Sequence, residues 1–81
     1  MARPYKNSSD HQELIAFGSA VRSIRLDKGI SQETLADLAG IDRSYMGGVE
    51  RGEHNIALIN MGRISNALDI PISRLMKISG L

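Results

Sequence analysis

The sequence predicts an all-α fold of five short helices, and three observations support this. Apolar residues recur at spacings of three and four along most of the chain, which is the period of one helix face. No alternating pattern typical of a β-strand occurs at any useful length. Serine, aspartate, proline and glycine stand where such helices would begin and end. The 81 residues suffice for one small domain, which we place at residues 11–81.

The first helix is predicted at about residues 11–28. Its inward face is formed by apolar residues at helical spacing, namely Leu14, Phe17, Val21 and Ile24. Asp10 is suited to the N-cap, with Glu13 three residues later to complete a capping box. Gly29 is expected to end the helix. The polar residues 1–10 are expected to form a flexible N-terminal tail.

Two short helices follow, at about residues 32–39 and 42–51. Ser31 and Asp42 are the predicted N-caps, and Gly40 and Gly52 the predicted ends. The apolar face of the second helix is predicted to contain Leu35, Ala36, Leu38 and Ala39.

The remaining apolar residues predict helices at about residues 57–68 and from Pro71 to the end, since proline suits a first turn. The inward face of the fourth helix is predicted to contain Leu58, Met61, Ile64, Ala67 and Leu68, and that of the fifth Ile72, Leu75 and Met76.

Composition excludes several classes of protein. Cysteine is absent, and His11 and His54 lie far apart, so we expect no disulfide, no metal site and no cofactor. The longest apolar runs have four residues and no leader pattern is visible, so a cytoplasmic protein without membrane spans is expected. No nucleophile or nucleotide-binding motif occurs, so an enzyme is not expected. A chain this short also leaves no room for a separate ligand-sensing domain, so no small-molecule ligand is expected.

Residues 32–51 carry the most informative pattern, that of a helix-turn-helix. A tight crossing needs a small inward residue, here Ala36, and a turn that tolerates positive φ, here Gly40. The second helix supplies Met46 and Val49 to the core, with Ile41 before them. The alternative is a generic helical hairpin. In a helix-turn-helix the second helix lies in the major groove of duplex DNA, so 42–51 is the predicted recognition helix.

Base contacts are therefore expected from the exposed side of this helix. Arg43 can form two hydrogen bonds to guanine. A lone exposed arginine is more often a solvated charge, but a position one residue after the cap of the predicted recognition helix favours DNA contact. Two consecutive glycines in a helix suggest a close approach to DNA, or else fraying of the helix. The predicted base-contacting residues are Asp42, Arg43, Ser44, Gly47 and Gly48.

Phosphate contacts are expected on both sides of the recognition helix. Gln32 begins the second helix, whose free N–H groups favour an anion. Tyr45 is suited to a phosphate contact or to the edge of the core. Asn55 is suited to a phosphate contact and to capping the fourth helix, because Ala57 has no side-chain acceptor. His54 is expected at the surface with a phosphate within reach.

Charged residues suggest one internal contact and one external one. Arg25 and Glu50 lie beside the inner faces of their helices, so a partly buried ion pair is predicted, the alternative being two separate surface charges. Glu33 and Asp37, four residues apart, share one exposed face. That face is either solvated or a docking patch for a basic protein.

A homodimer is predicted, through residues of about 57–81. A net charge of only +1 gives one copy little phosphate neutralisation, and two copies would double the contacts. The C-terminal segment carries more apolar residues than one inward face buries, unless the last helix simply packs on the core. The predicted interface residues are Ile70, Ile72, Leu75, Met76 and Ile78.

These residues resemble a known family. The stretch GISQETLADLAGIDRSYMGGVERGEHNIALINMGRISNALDI is similar to the XRE, or Cro/phage-repressor-like, helix-turn-helix domain, and the likeness covers about residues 13–78. Within it, DRSY, VERG and the following Asn55-Ile56 most resemble controller proteins of restriction–modification systems. The chain departs from the pattern at Gly47, where a polar residue is common, at His54, where a basic residue is frequent, and at Ala57, where Ser or Thr usually caps.

The resemblance implies a five-helix phage-repressor-like fold, with the C-terminal region as the dimer seam. It implies phosphate contact at Gln32, base readout at Arg43 and Ser44, backbone contact near Tyr45 and Asn55, and the Arg25–Glu50 pair. In activating members an acidic face on the second helix touches RNA polymerase, which implies that role for Glu33 and Asp37.

The expected function is that of a sequence-specific transcription regulator, a homodimer on a symmetric duplex operator. The controller resemblance implies control of its own operon and of an endonuclease gene. The alternative is an antitoxin-like or other helical protein-interaction module.

Overall fold

The computed structural model describes residues 11–81, which contain five α-helices and no strand. The helices are α1 (Gln12–Asp27), α2 (Gln32–Ala39), α3 (Arg43–Glu50), α4 (Leu58–Ala67) and α5 (Ile72–Ser79). The predicted all-α class is confirmed, and each observed helix lies within about a residue of its predicted position. None of these helices has the length and apolar character needed to cross a membrane.

Local chemistry explains where the helices begin and end. The Ser31 Oγ accepts a hydrogen bond from the Thr34 backbone N–H at 3.0 Å, a cap typically worth about 1 kcal/mol. Gly40 ends α2 in the left-handed region at φ 67°, which glycine adopts without steric cost. The predicted cap of α1 at Asp10, like the predicted tail, lies outside the described residues; His11 occupies the N-cap position without a side-chain cap.

The helices enclose one apolar core. α1 packs against α3 and α5, α2 against α3 and α4, and α4 against α5. The fully buried large side chains come from all five helices or the turn after α4: Val21, Leu35, Met46, Val49, Ile64, Leu68 and Leu75. α3 therefore rests on both α1 and α2.

Two leucines that periodicity placed on inward faces are exposed. Leu38 on α2 exposes 62% of its surface and Leu58 on α4 exposes 66%, so both inward predictions were wrong. Leu58 is the first residue of its helix, where the surrounding helices no longer cover the face. Leu38 lies one position before the buried Ala39, which completes the short inward stripe of α2.

α1 and the end of α3 approach each other closely at a glycine that the sequence analysis did not single out. A Cβ on Gly18 would collide with the carbonyl oxygens of Val49 and Glu50, the latter at 2.7 Å. Because the side chain of Gly18 is a single hydrogen atom, α1 can lie directly on the last turn of α3. The orientation of α3 depends on this contact as well as on the core.

Candidate DNA interface

The first turn of α3 is fixed by Asp42. Its Oδ2 accepts hydrogen bonds from the backbone N–H groups of Ser44 at 3.0 Å and Tyr45 at 3.3 Å. This is the geometry of an N-cap, which satisfies donors that a helix leaves free at its start. The predicted N-cap is therefore present, and because the Asp42 side chain is exposed, its predicted base contact stays a prediction.

Arg43 and Ser44 are the exposed side chains of that first turn. Within residues 11–81, neither side chain forms a hydrogen bond or an ion pair with another side chain. A guanidinium at the start of an exposed helix is free to donate two parallel hydrogen bonds to a base edge. The structure thus leaves both predicted readers available to a partner.

Gly47 and Gly48 are buried within a continuous helix, so both the predicted base contacts and the alternative of fraying were wrong. The close approach is made by the protein's own side chains. The imidazole of His54 lies against Gly48, in the space that a Cβ would fill. At Gly47 a Cβ would lie 3.1 Å from Arg51 Nη1 and 3.3 Å from Gln32 Oε1.

His54 is held over α3 by an aromatic contact. Its ring stacks on that of Tyr45, with centroids 4.6 Å apart and planes inclined by 13°. Both residues are half-buried, so Tyr45 serves the edge of the core and still presents part of its ring. The sequence predicted both residues separately, and the structure joins them into one stacked pair.

Asn55 is exposed beyond this pair. α4 begins at Leu58 with Ala57 as its N-cap and no side-chain cap hydrogen bond. The predicted capping by Asn55 is therefore absent, whereas its exposure is compatible with the predicted phosphate contact.

The buried side of α3 carries a polar network centred on Glu50. Arg25 donates from Nε to Oε2 at 2.7 Å and from Nη2 to Oε1 at 3.0 Å, so the predicted pair is present. Gln32 donates from Nε2 to Oε1 at 3.0 Å. Arg25 Nη1 also donates to the Ile30 carbonyl at 3.0 Å. One carboxylate on α3 thus binds α1 and α2 together.

The network is buried and tightly formed. The two charged side chains expose only 9% and 3% of their surfaces. The hydrogen bond that Arg25 donates to Glu50 is the main cause that raises the pKa of Arg25, against the opposing effect of burial. Breaking one side would leave the other charge buried, which is costly. Sequence reasoning missed Gln32 as the third member, because a neutral amide lacks the charge that suggested the Arg25–Glu50 pair.

A second, exposed ion pair lies at the other end of α3. Arg51 donates to Glu53 from Nε at 2.8 Å and from Nη2 at 3.1 Å. Neither residue was predicted from the sequence to be functional. The hydrogen bonds raise the pKa of Arg51 and lower the pKa of Glu53, so both are charged near neutral pH.

The predicted dimer residues divide into two groups. Leu75 is fully buried in the core of one copy, so its predicted place in the interface was wrong. Ile70 and Met76 are half-buried and pack on that core. Ile72 is half-buried and Ile78 is exposed. Leu81, Leu58 and Ile59 are also exposed, Ile59 by 72%.

The acidic residues Glu33 and Asp37 lie exposed on α2, close in sequence to the exposed Leu38. Within residues 11–81, no group of three or more potential metal ligands is close enough together to hold an ion.

Comparison with known proteins places this geometry in a family. The model of the Helix-turn-helix family matches residues 21–75. Control protein C.SmaI from Serratia marcescens is 38% identical over 72 residues, covering 89% of this chain and 83% of that protein. Control protein C.BamHI from Bacillus amyloliquefaciens is 44% identical over 57 residues, covering 69% and 70%.

A solved structure agrees with these relatives. The restriction–modification controller protein C.AhdI from Aeromonas hydrophila is 51% identical and superposes with a TM-score of 0.78, covering 80% of this chain and 98% of that one. The matched residues include α2, α3 and the Glu50 network. The chain therefore belongs to the XRE-type helix-turn-helix family of DNA-binding transcription regulators.

Proposed function

We propose that the protein is a sequence-specific transcription regulator that binds a two-fold symmetric operator as a homodimer and controls a restriction–modification operon. The observation that carries this proposal is the pair Arg43 and Ser44, exposed at the N-terminal end of a helix whose C-terminal end is fixed by Glu50 to α1 and α2. A rigid helix with free donors at its N-terminal end suits direct reading of the major groove. The named control proteins among its relatives support the operon assignment.

Phosphate contacts are proposed on both flanks of α3. Gln32 retains one amide hydrogen beyond the one it donates to Glu50, at the start of α2. On the other flank lie Tyr45, His54 and Asn55. Contacts of this kind position a protein on duplex DNA and make its binding depend on salt.

The dimer seam is proposed between residues 57 and 81. Its apolar side chains that one copy leaves exposed or half-exposed are Leu58, Ile59, Ile72, Met76, Ile78 and Leu81. A two-fold axis through this seam would present two α3 helices to half-sites about 34 Å apart, one turn of DNA. Occupancy of the operator would follow protein concentration through dimerisation.

Glu33 and Asp37 are the proposed contact with RNA polymerase, since both carboxylates are exposed on α2. They lie outside the set of side chains that we assign to DNA. A regulator of this kind acts where the DNA is, so the proposal includes a cytoplasmic location.

The test is selection of binding sites from random duplex DNA with the purified protein. We expect enrichment of a two-fold symmetric sequence. Arg43→Ala should lose preference at one position of each half-site, by roughly 1–3 kcal/mol of discrimination. Lys28→Ala, which removes an exposed cation directly after α1 and outside the proposed interface and seam, is the matched control and should select the wild-type sequence. No enrichment from a folded sample at low salt would favour a protein-interaction module.

A further inference from the structure

Arg51, directly after α3, lies on the same side of that helix as Arg43. Residues 43, 47 and 51 are four apart, so they follow one another along one side of α3. Gly47 has no side chain, and Arg51 occupies the space that one would fill, with Nη1 3.1 Å from the position of a Cβ. The guanidinium therefore lies along the helix, near the Gln32 carboxamide, and not out in solvent beyond the helix end.

Glu53 occupies the edge of the Arg51 guanidinium, formed by Nε and Nη2, to which an anion would bind. Its two carboxylate oxygens accept from Nε at 2.8 Å and from Nη2 at 3.1 Å. This paired arrangement is the one by which arginine grips either a carboxylate or a phosphate. Both side chains are more than half exposed, at 60% and 54%. An exposed pair contributes little net stability, so it exchanges partners at small cost.

We propose that Arg51 is an anchor for the DNA backbone and that Glu53 is an internal mimic of a phosphate, which gives up that edge of Arg51 when DNA binds. The proposal rests on the proposed function and names two residues of the same interface. Glu53 limits affinity in two ways. It must be displaced from Arg51 before a phosphate binds, and afterwards its free carboxylate lies near the DNA backbone.

The experiment compares Glu53→Gln, Arg51→Gln and the double variant on two duplexes, the selected operator and an unrelated sequence, over a series of salt concentrations. Asp69→Asn is the control for charge, since it removes one exposed negative charge from the turn between α4 and α5. Glu53→Gln should bind both duplexes more tightly, by a factor on the order of three, and by more than Asp69→Asn. Arg51→Gln should weaken both equally and reduce the salt slope by about 1.

The double variant separates exchange at Arg51 from general charge. With Gln at position 51, the gain in DNA affinity from Glu53→Gln should fall to that from Asp69→Asn, because no guanidinium remains for Glu53 to release. Wild-type affinity and slope in Arg51→Gln would overturn the anchor, and equal gains in Glu53→Gln and Asp69→Asn would overturn the mimic. An effect confined to the operator would make Arg51 a base reader and overturn the phosphate assignment. If the wild type binds no duplex, the proposed function fails together with this inference.

Discussion

The ring of His54 stacks on the ring of Tyr45, and the side chain that would obstruct this arrangement is missing. The two planes are inclined by only 13°, and the imidazole lies against the Cα of Gly48. Any side chain at position 48 must displace the histidine. The glycine in the middle of α3 therefore controls the position of a residue in the next loop.

Gly48→Ala is expected to displace His54 from Tyr45 and weaken DNA binding by a factor of roughly three to ten, through loss of a positioned phosphate contact. Its helix should not be weakened, because alanine favours a helix interior by about 1 kcal/mol over glycine. Gel-shift titration and thermal unfolding measure the two effects. In a His54→Ala background the same change should leave affinity unaltered; a further loss there would show that His54 is not the group displaced.

Arg25→Met is expected to destabilise the protein by about 3–5 kcal/mol, because it leaves Glu50 buried without its cation. Urea unfolding followed by circular dichroism gives the value. Arg22→Met, at an exposed position of the same helix, should change stability by no more than about 0.5 kcal/mol. Similar losses in the free energy of unfolding for the two variants would mean that the buried Arg25–Glu50 pair is no more important to stability than an exposed arginine.

Gly18→Ala is expected to lower the free energy of unfolding by about 1–3 kcal/mol, despite the better helix propensity of alanine. The methyl group would meet backbone carbonyl oxygens of α3, which have no rotamer to escape into. Gly62→Ala is the matched control, since its Cβ would meet only the Ile72 Cδ1 at 3.6 Å. That variant should gain stability, by about 0.5–1 kcal/mol. Thermal unfolding of both variants measures these changes. A Gly18→Ala variant more stable than the wild type would contradict the close packing of α1 on α3.

Leu75→Ala and Ile59→Ser are expected to affect different properties. The first empties a fully buried site and should destabilise each copy by about 2–5 kcal/mol. The second changes an exposed side chain, so it should leave the monomer's stability within about 0.5 kcal/mol and weaken self-association. Sedimentation equilibrium reports association. A dimer of unchanged strength in Ile59→Ser would remove that residue from the proposed seam.

The carboxyl group of Glu53 is expected to titrate below the usual range of a glutamate, because Arg51 hydrogen-bonds its charged form and lowers its pKa. A lowered pKa in the folded state stabilises that state above the unfolded pKa, and this contribution disappears as the pH falls. An NMR pH titration of the side-chain carbonyl should show the midpoint move upward in Arg51→Gln. An unchanged midpoint would mean that the ion pair does not form in solution.

The sequence predicted the helix ends more accurately than it predicted which apolar side chains are buried. Ser31, Gly40 and Asp42 act on neighbouring backbone, so they placed the ends of α2 and α3 correctly. Periodicity identifies an apolar face but not the helices that cover it. For that reason Leu75 was assigned to an interface although it lies in the core, while Leu58 was assigned to the core although it is exposed.

In the candidate DNA interface, too, local features could be predicted from the sequence, whereas contacts between distant residues could not. Arg43 and Ser44 follow a recognisable cap, and the structure leaves them exposed as predicted. The two glycines indicated a close approach, yet which atoms approach depends on the path of the chain after α3. That path brings Arg51 back over Gly47, four residues before it, and His54 back over Gly48, six residues before it. The bond between Gln32 and Glu50 joins two helices and has no local signature.

The Glu50 network separates the residues that hold α3 from those proposed to read DNA. Arg25, Gln32 and Gly18 fix the helix from within, whereas Arg43 and Ser44 take no part in its support. New specificities could thus arise by exchange of one or two outward side chains without loss of the scaffold. The backbone of α3 is ordered during folding, before any operator is met. Diversification among such regulators would then be limited by the available target sequences and not by the tolerance of the fold.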